Sequence, residues 1–308
     1  MSDWFDEHIR TLRELSGLDE QEARRLFDRE LHVCLDPTLR NNRSYRTAFA
    51  FAVTLLTRIF RQTRFDDVGQ DAYLITPWTK RRSSEARFGS TATILLFGRQ
   101  APPIRTQEII RANLHDWHVY IDSPAEPDPQ EEWNPVLALV TACYAAARVA
   151  KVLLDDAVDG PETWRPFSIL DFQGGRVRFD WSEPLECREA YFAGIGAVGT
   201  STLYALAAHN ALSSKLVLMD PEKLDVTNLG RYVLYDGDDV GEWKVSAAEK
   251  RLRKLGLTTP IEPIKEKFER YFDRKYLESP GFRVENLISA PDRRSIRGLH
   301  PENPRVLR

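Results

Sequence analysis

The feature that most constrains this chain is the run YFAGIGAVGTSTLYALAAHN, residues 191–210, where an apolar strand meets an apolar helix through three glycines. Gly194, Gly196 and Gly199 stand in G-x-G-x-x-G spacing, with Ala197 and Val198 inside the loop. Glycines so placed permit a tight turn, close approach of a phosphate to the backbone, and close packing of helix on strand. The helix start then offers free N–H donors and a partial positive charge. In this strand-and-helix setting the loop reads as a nucleotide site rather than a structural turn. The pattern continues with a strand at 215–220, a helix at 241–255, a strand at 261–264, a helix at 268–277 and a strand at 284–290. That alternation predicts an α/β fold, a Rossmann-like and mostly parallel sheet with crossover helices. Parallel sheets are normally covered and continued, so these strands read as an incomplete sheet, truncated at its C-terminal side. Completion is expected from the first part of the chain, a partner or further sequence.

The residues around the loop narrow the ligand. Asp220 ends the second strand 21 positions beyond Gly199, where a carboxylate accepts hydrogen bonds from ribose hydroxyls. NAD and ATP fit that much equally well. Arg231 and Lys244 follow in the same βα segment, and two cations suit a triphosphate losing pyrophosphate better than a nicotinamide cofactor. Asn228 either orients phosphate oxygens or caps a turn, the commoner work of asparagine. Asp292 follows the apolar strand VENLISAP and stands at the carboxyl edge of the sheet. A carboxylate there is a natural Mg²⁺ ligand, because Mg²⁺ takes one or two carboxylates plus phosphate oxygens.

The segments GIGAVG, DPEKLDVTNLGRY, VGEWK and APDRRSIR, in that order, resemble the ThiF, MoeB and E1 superfamily of adenylating enzymes. The resemblance covers about 191–297 and implies ATP-dependent adenylation of the C-terminal carboxylate of a ubiquitin-like protein, a sulfur carrier or a peptide. By position it gives Asp220 the ribose, Asn228, Arg231 and Lys244 the phosphates, and Asp292 the magnesium ion. Glu222 stands where the family often has a second acid, and Arg297 matches an arginine that commonly follows the metal-binding aspartate. Tyr232 and Arg293 depart from the family's usual glutamine and asparagine. No cysteine follows Cys187, so a thioester step has no nucleophile where the family would place one. A non-catalytic scaffold that binds nucleotide or a partner is the alternative reading, and an NAD-dependent oxidoreductase, explaining only the glycines and Asp220, is the third.

The first part of the chain, 1–186, reads as a second α/β domain before the adenylation domain at 187–308. Helices are expected at 19–29 and 45–60, strands at 91–98 and 117–123, a buried alanine-rich helix at 134–154, and two strands around Gly174-Gly175. The last two features resemble the end of the same fold. That leaves three readings: a degenerate E1-like half without a glycine loop, an unrelated α/β domain, or an E2 conjugating domain, against which Cys143 falls inside the alanine-rich helix. A homodimer or an E1-like partner chain would suit the first.

Lysine plus arginine number 43 against 46 aspartate plus glutamate, so no global basic field recruits nucleic acid or anionic lipid. Three scattered cysteines form neither a C-x-x-C pair nor a disulfide framework, which fits a reducing compartment. The amino terminus lacks the form of a signal peptide, and the apolar runs at 48–56 and 136–147 fall short of the roughly 20 residues that span a bilayer. A cytoplasmic location without membrane partners is the expectation.

Overall fold

The computed structural model describes residues 4–66, 92–100, 108–123, 128, 133–154, 167–168, 185–209 and 212–290. The chain divides into two compact units, Met1–Trp181 and Ser182–Arg308.

Unit 1 opens with α1 (Trp4–Ser16) and α2 (Glu20–Phe27), the second started by a capping box between Asp19 and Glu22. Strand β1 (Leu31–Leu35) leads through a short 3-10 turn to α3 (Arg43–Ile59), which returns the chain to β2 (Thr63–Phe65). Strands β3 (Thr93–Phe97), β4 (Glu108–His115) and β5 (His118–Ile121), helix α4 (Pro135–Leu153) and the short β6 (Phe167–Ser168) complete the unit. The sheet runs β2-β1-β3-β4-β5-β6, parallel through β4 and antiparallel beyond it. Helices α3 and α4 pack along each other and on this sheet. Phe49 of α3 meets Phe97 of β3 edge to face at 6.4 Å.

Helix α3 is buried nearly all round, so its hydroxyls must find partners inside it. Thr54 and Thr57 do so by donating to the carbonyls of Ala50 and Val53. Helix α4, at 19 residues, is long and apolar enough by length and composition to cross a membrane. Half of its apolar window is buried, and it packs on α3, β4 and β5 as a core helix does. It exceeds the apolar run at 136–147 because Arg148 and Lys151 continue the helix.

Several elements here escaped sequence reading, among them α1, β2, β4 and β1. Strand β4 was hidden because its hairpin with β5 turns on Asp116 and Trp117, both at positive φ, with no glycine to announce it. Burial of Trp117 offsets that backbone cost. Trp117 thus belongs to the turn, and the strand expected from 117 starts at His118. The apolar run of β1 was also passed over, and the Gly174-Gly175 hairpin lies outside the described residues.

Unit 2 alternates as expected: β7 (Leu185–Ala193), α5 (Ala197–His209), β8 (Leu212–Met219), α6 (Lys244–Lys254), β9 (Ile261–Ile264), α7 (Phe268–Glu278) and β10 (Asn286–Ser289). All four strands are parallel in the order β10-β7-β8-β9. Tyr191, Ala193, Val217 and Met219, alternate residues of β7 and β8, pack with Phe268 and Tyr271 of α7. Strand order reverses at β7, with β8 on one side and β10 on the other. The crevice at the carboxyl end of such a switch point is where open α/β sheets collect ligands.

Candidate functional site

The glycine loop lies in that crevice. Gly194 has φ +91°, a conformation that favours glycine, and its N–H donates to the Met219 carbonyl. Gly199 is required by packing: a Cβ there would sit 2.4 Å from the Gly194 carbonyl oxygen. Gly196 differs, since its Cβ would meet only the Tyr232 hydroxyl at 3.5 Å, an ordinary contact. Helix α5 starts directly after Gly196, which has no side chain with which to cap it. The first turn, Ala197-Val198-Gly199, therefore presents its N–H groups without an acceptor from the cap residue, and Val198 at its tip is 64 % exposed.

Asp220 is buried at the end of β8 and binds the loop to it. One carboxylate oxygen accepts from the Ile195 N–H at 2.8 Å and the other from the Glu222 N–H at 2.9 Å. Burial pushes its pKa above the ordinary carboxylate value; the two N–H donors and nearby Lys244 oppose that without cancelling it. The carboxylate thus carries fewer donors than its burial calls for, and the lone pairs left over suit the hydroxyls of a ribose.

The segment between β8 and α6 folds back on itself to aim its cations. Asp225 and Asn228 form a capping box around a 3-10 turn, with Asn228 Oδ1 accepting from the Asp225 N–H at 3.1 Å. The segment is then clamped onto α6 by buried Asp239, whose carboxylate accepts from Arg251 at 2.6 Å and pairs with Lys250 at 3.2 Å. Arg251 also pairs with Asp236. Burial alone would raise the Asp239 pKa, but the Arg251 guanidinium and the Asp236 N–H hold it below its usual value.

Lys244, the first residue of α6, is buried with its ammonium 2.6 Å from the carboxylate of exposed Glu222. Burial works against its charge, yet Glu222 and Asp220 keep its pKa raised, so it stays a cation. Tyr232 joins these parts. Its ring lies 5.2 Å from the Lys244 ammonium and 5.2 Å from the Arg231 guanidinium, while its hydroxyl touches the space over Gly196. Arg231 itself is exposed and donates to the Thr227 carbonyl at 3.3 Å. Buried Tyr235 steadies the group by donating to the Lys244 carbonyl at 2.9 Å.

Gly194 and Gly196 thus form the loop and Ala197, Val198 and Gly199 the first turn of α5 that follows it, with the loop tied to Asp220 through Ile195. Glu222 and Lys244 lie paired beside Asp220, with Arg231 reached through Tyr232. The Asn228 side-chain oxygen serves the turn. Asp292, Arg293 and Arg297 lie outside the described residues, but the chain leading to them is placed. Ala290 donates to the Ala193 carbonyl at 2.8 Å, and its Cβ lies 3.8 Å from the Cβ position of Gly199. Tyr232 is what the spacing argument undervalued. Glycine, aspartate and lysine announce a site by type, whereas a tyrosine inside a loop announces only burial.

This donor set fits an adenosine nucleotide: a buried carboxylate with spare acceptors, a side-chain-free helix start, and a lysine and an arginine beside it. Residues 175–299 match the family model described as the ThiF family. An uncharacterized protein of Sinorhizobium fredii, y4jF, is 27 % identical over 135 residues, covering 42 % of this chain. The match spans about a quarter (26 %) of that relative's length. Among solved structures, Escherichia coli MccB with ATP is 23 % identical at a TM-score of 0.31, covering 36 % of this chain and 32 % of that one. The E. coli tRNA N6-threonylcarbamoyladenosine dehydratase TcdA is 24 % identical at a TM-score of 0.29, covering 34 % and 42 %. Glycine loop, Asp220, Arg231 and Lys244 all fall inside the span, residues 175–299, that is similar to the ThiF family.

Proposed function

We propose that unit 2 binds ATP and activates a carboxylate as an acyl adenylate, releasing pyrophosphate, with the C-terminal carboxylate of a ubiquitin-like protein, a sulfur carrier or a peptide as substrate. ATP supplies the adenylyl group. The chain's own residues bind and orient: Asp220 accepts the ribose hydroxyls, the start of α5 and the glycine loop take a phosphate, and Lys244 and Arg231 offset charge on the departing phosphates. The attacking carboxylate is already ionised at neutral pH, so no general base is needed. Asp292, two residues beyond Ala290, is proposed as the Mg²⁺ ligand.

The observation that carries this reading is the Lys244–Glu222 pair at 2.6 Å beside the under-supplied Asp220 carboxylate. A buried ammonium held next to a ribose-type acid serves phosphates, whereas hydride transfer has no use for it. Binding would exchange Glu222 for a phosphate oxygen on Lys244 and leave exposed Glu222 to water. The test is ATP–pyrophosphate exchange by the full chain with Mg²⁺ and candidate carboxyl donors, beside Lys244→Met and Asp292→Ala. Exchange requiring both residues is expected. NAD bound in preference to ATP, or exchange indifferent to Lys244, would overturn the reading.

A further inference from the structure

A separate cluster lies in unit 1. His32 and Cys34 are two apart on β1, so their side chains leave the strand on the same face. Strand β2 runs parallel beside β1 with Val33 opposite Phe65, which brings Asp66, just past β2, alongside Cys34. Asp66 is clamped there by main chain on both sides of that cysteine. Its N–H donates to the Val33 carbonyl at 3.2 Å, and its Oδ2 accepts from the Leu35 N–H at 3.1 Å. The remaining oxygen, Oδ1, faces His32 Nε2 at 3.1 Å. The imidazole nitrogen, the thiol sulfur and a carboxylate oxygen all lie within 4.8 Å of one another. His32 is 3 % exposed and Cys34 fully buried.

We propose that His32, Cys34 and Asp66 bind one divalent cation of the zinc class. The donor set selects it: thiolate and imidazole favour zinc and its neighbours, whereas calcium and magnesium take oxygen ligands. Size agrees as well. Bonds of about 2.0–2.3 Å to a tetrahedral ion put ligand atoms roughly 3.5 Å apart, so no pair need close by more than about 1.3 Å. Charge balance favours the bound form. The ion displaces the thiol proton, and the neutral imidazole coordinates through its Nε2 lone pair with its single proton on Nδ1; thiolate, carboxylate, neutral imidazole and a dication then sum to zero. Three protein ligands leave a fourth position for water or an incoming group. Without the ion, burial and the Asp66 charge hold the thiol protonated, its pKa raised. The competing account is a buried histidine–aspartate pair with a cysteine packed against it.

Titration of the full chain, first stripped by a chelator, with Co²⁺ separates the two. One equivalent should bind with a thiolate-to-cobalt charge-transfer band and the visible bands of a four-coordinate ion. The band should vanish in Cys34→Ser and persist when the other cysteines, Cys143 and Cys187, are replaced by serine. Asp66→Asn should keep the band but weaken binding at least about tenfold. Failure of the wild-type chain to bind one equivalent overturns the site whatever the variants do. So does a band that survives in Cys34→Ser or depends on Cys143 or Cys187.

Discussion

Two buried aspartates end strands in the two units, and their surroundings differ in one respect. Asp36, after β1, receives four donors: the Thr38 N–H and hydroxyl on one oxygen, and the N–H groups of Arg99 and Gln100 on the other. Burial acts to raise its pKa, but those donors hold it below the ordinary value. Asp220, after β8, receives two, and burial wins. The helix starts follow the same division. In unit 1, α2, α3 and α4 are capped by Asp19, Asn42 and Asn134, whereas in unit 2 the caps of α6 and α7 make no side-chain bond and α5 is preceded by glycine. Among the described residues, these helix starts of unit 1 carry side-chain caps and those of unit 2 do not, and the Asp220 carboxylate has fewer donors than Asp36.

The largest effect should come from the clamp that holds the open end in shape. Asp239→Asn removes one of the two carboxylates paired with the buried Arg251, leaving it Asp236, and should cost about 3 kcal/mol, measured by denaturant unfolding. Because its folded pKa is lowered, the carboxylate stabilises the fold above its unfolded pKa near 4, and that stability is lost as pH falls through the folded value. The variant should therefore lose the share of acid sensitivity that Asp239 contributes; unchanged acid sensitivity would remove Asp239 from the account.

Next come two glycines, one in each unit. A Cβ at Gly98, at φ +116°, would lie 2.4 Å from Asp36 Cβ, and one at Gly199 would lie 2.4 Å from the Gly194 oxygen. Each alanine variant should cost roughly 1–3 kcal/mol, but only Gly199→Ala should abolish ATP binding. Loss of binding in both would mean the units are not independent in function.

The aspartates can be compared directly. Asp36→Asn sets an amide against N–H groups and should cost about 1–3 kcal/mol near neutral pH, lost as pH falls through the depressed folded value. Asp220→Asn should cost less in stability. Its raised pKa means that ionisation is a cost to the fold, absent below the unfolded pKa and felt as pH rises through the folded one. It should nonetheless weaken ATP binding at least tenfold. Equal stability losses in the two variants would dissolve the contrast.

A smaller effect has the opposite sign. Gly196→Asp would give α5 its own capping anion in a position where a Cβ fits, stabilising the chain by about 1 kcal/mol while blocking phosphate. Retained ATP affinity in that variant would place the phosphate elsewhere. Smallest is Tyr232→Phe, which keeps the ring between Arg231 and Lys244 and removes only its hydroxyl. A change in ATP affinity of less than about tenfold is expected, without loss of melting temperature.

The sequence by itself determined the order of elements in unit 2 and the types of the residues proposed to bind there. Strand and helix periodicity is local, and a glycine loop must be glycine wherever it occurs, so Gly194, Gly199 and Asp220 were legible as a set. The helix expected from 241 begins at Lys244, because 241–243 belong to the segment that Asp239 and Arg251 clamp. What only the tertiary structure decided was the company each residue keeps. Tyr232 bridges two cations, Asn228 spends its oxygen on a turn, Lys244 is paired to Glu222, and Asp66 stands beside Cys34 from 32 positions away. Spacing along a chain fixes neighbours on one strand or helix face, while contacts across strands and loops depend on register and closure that no local pattern encodes.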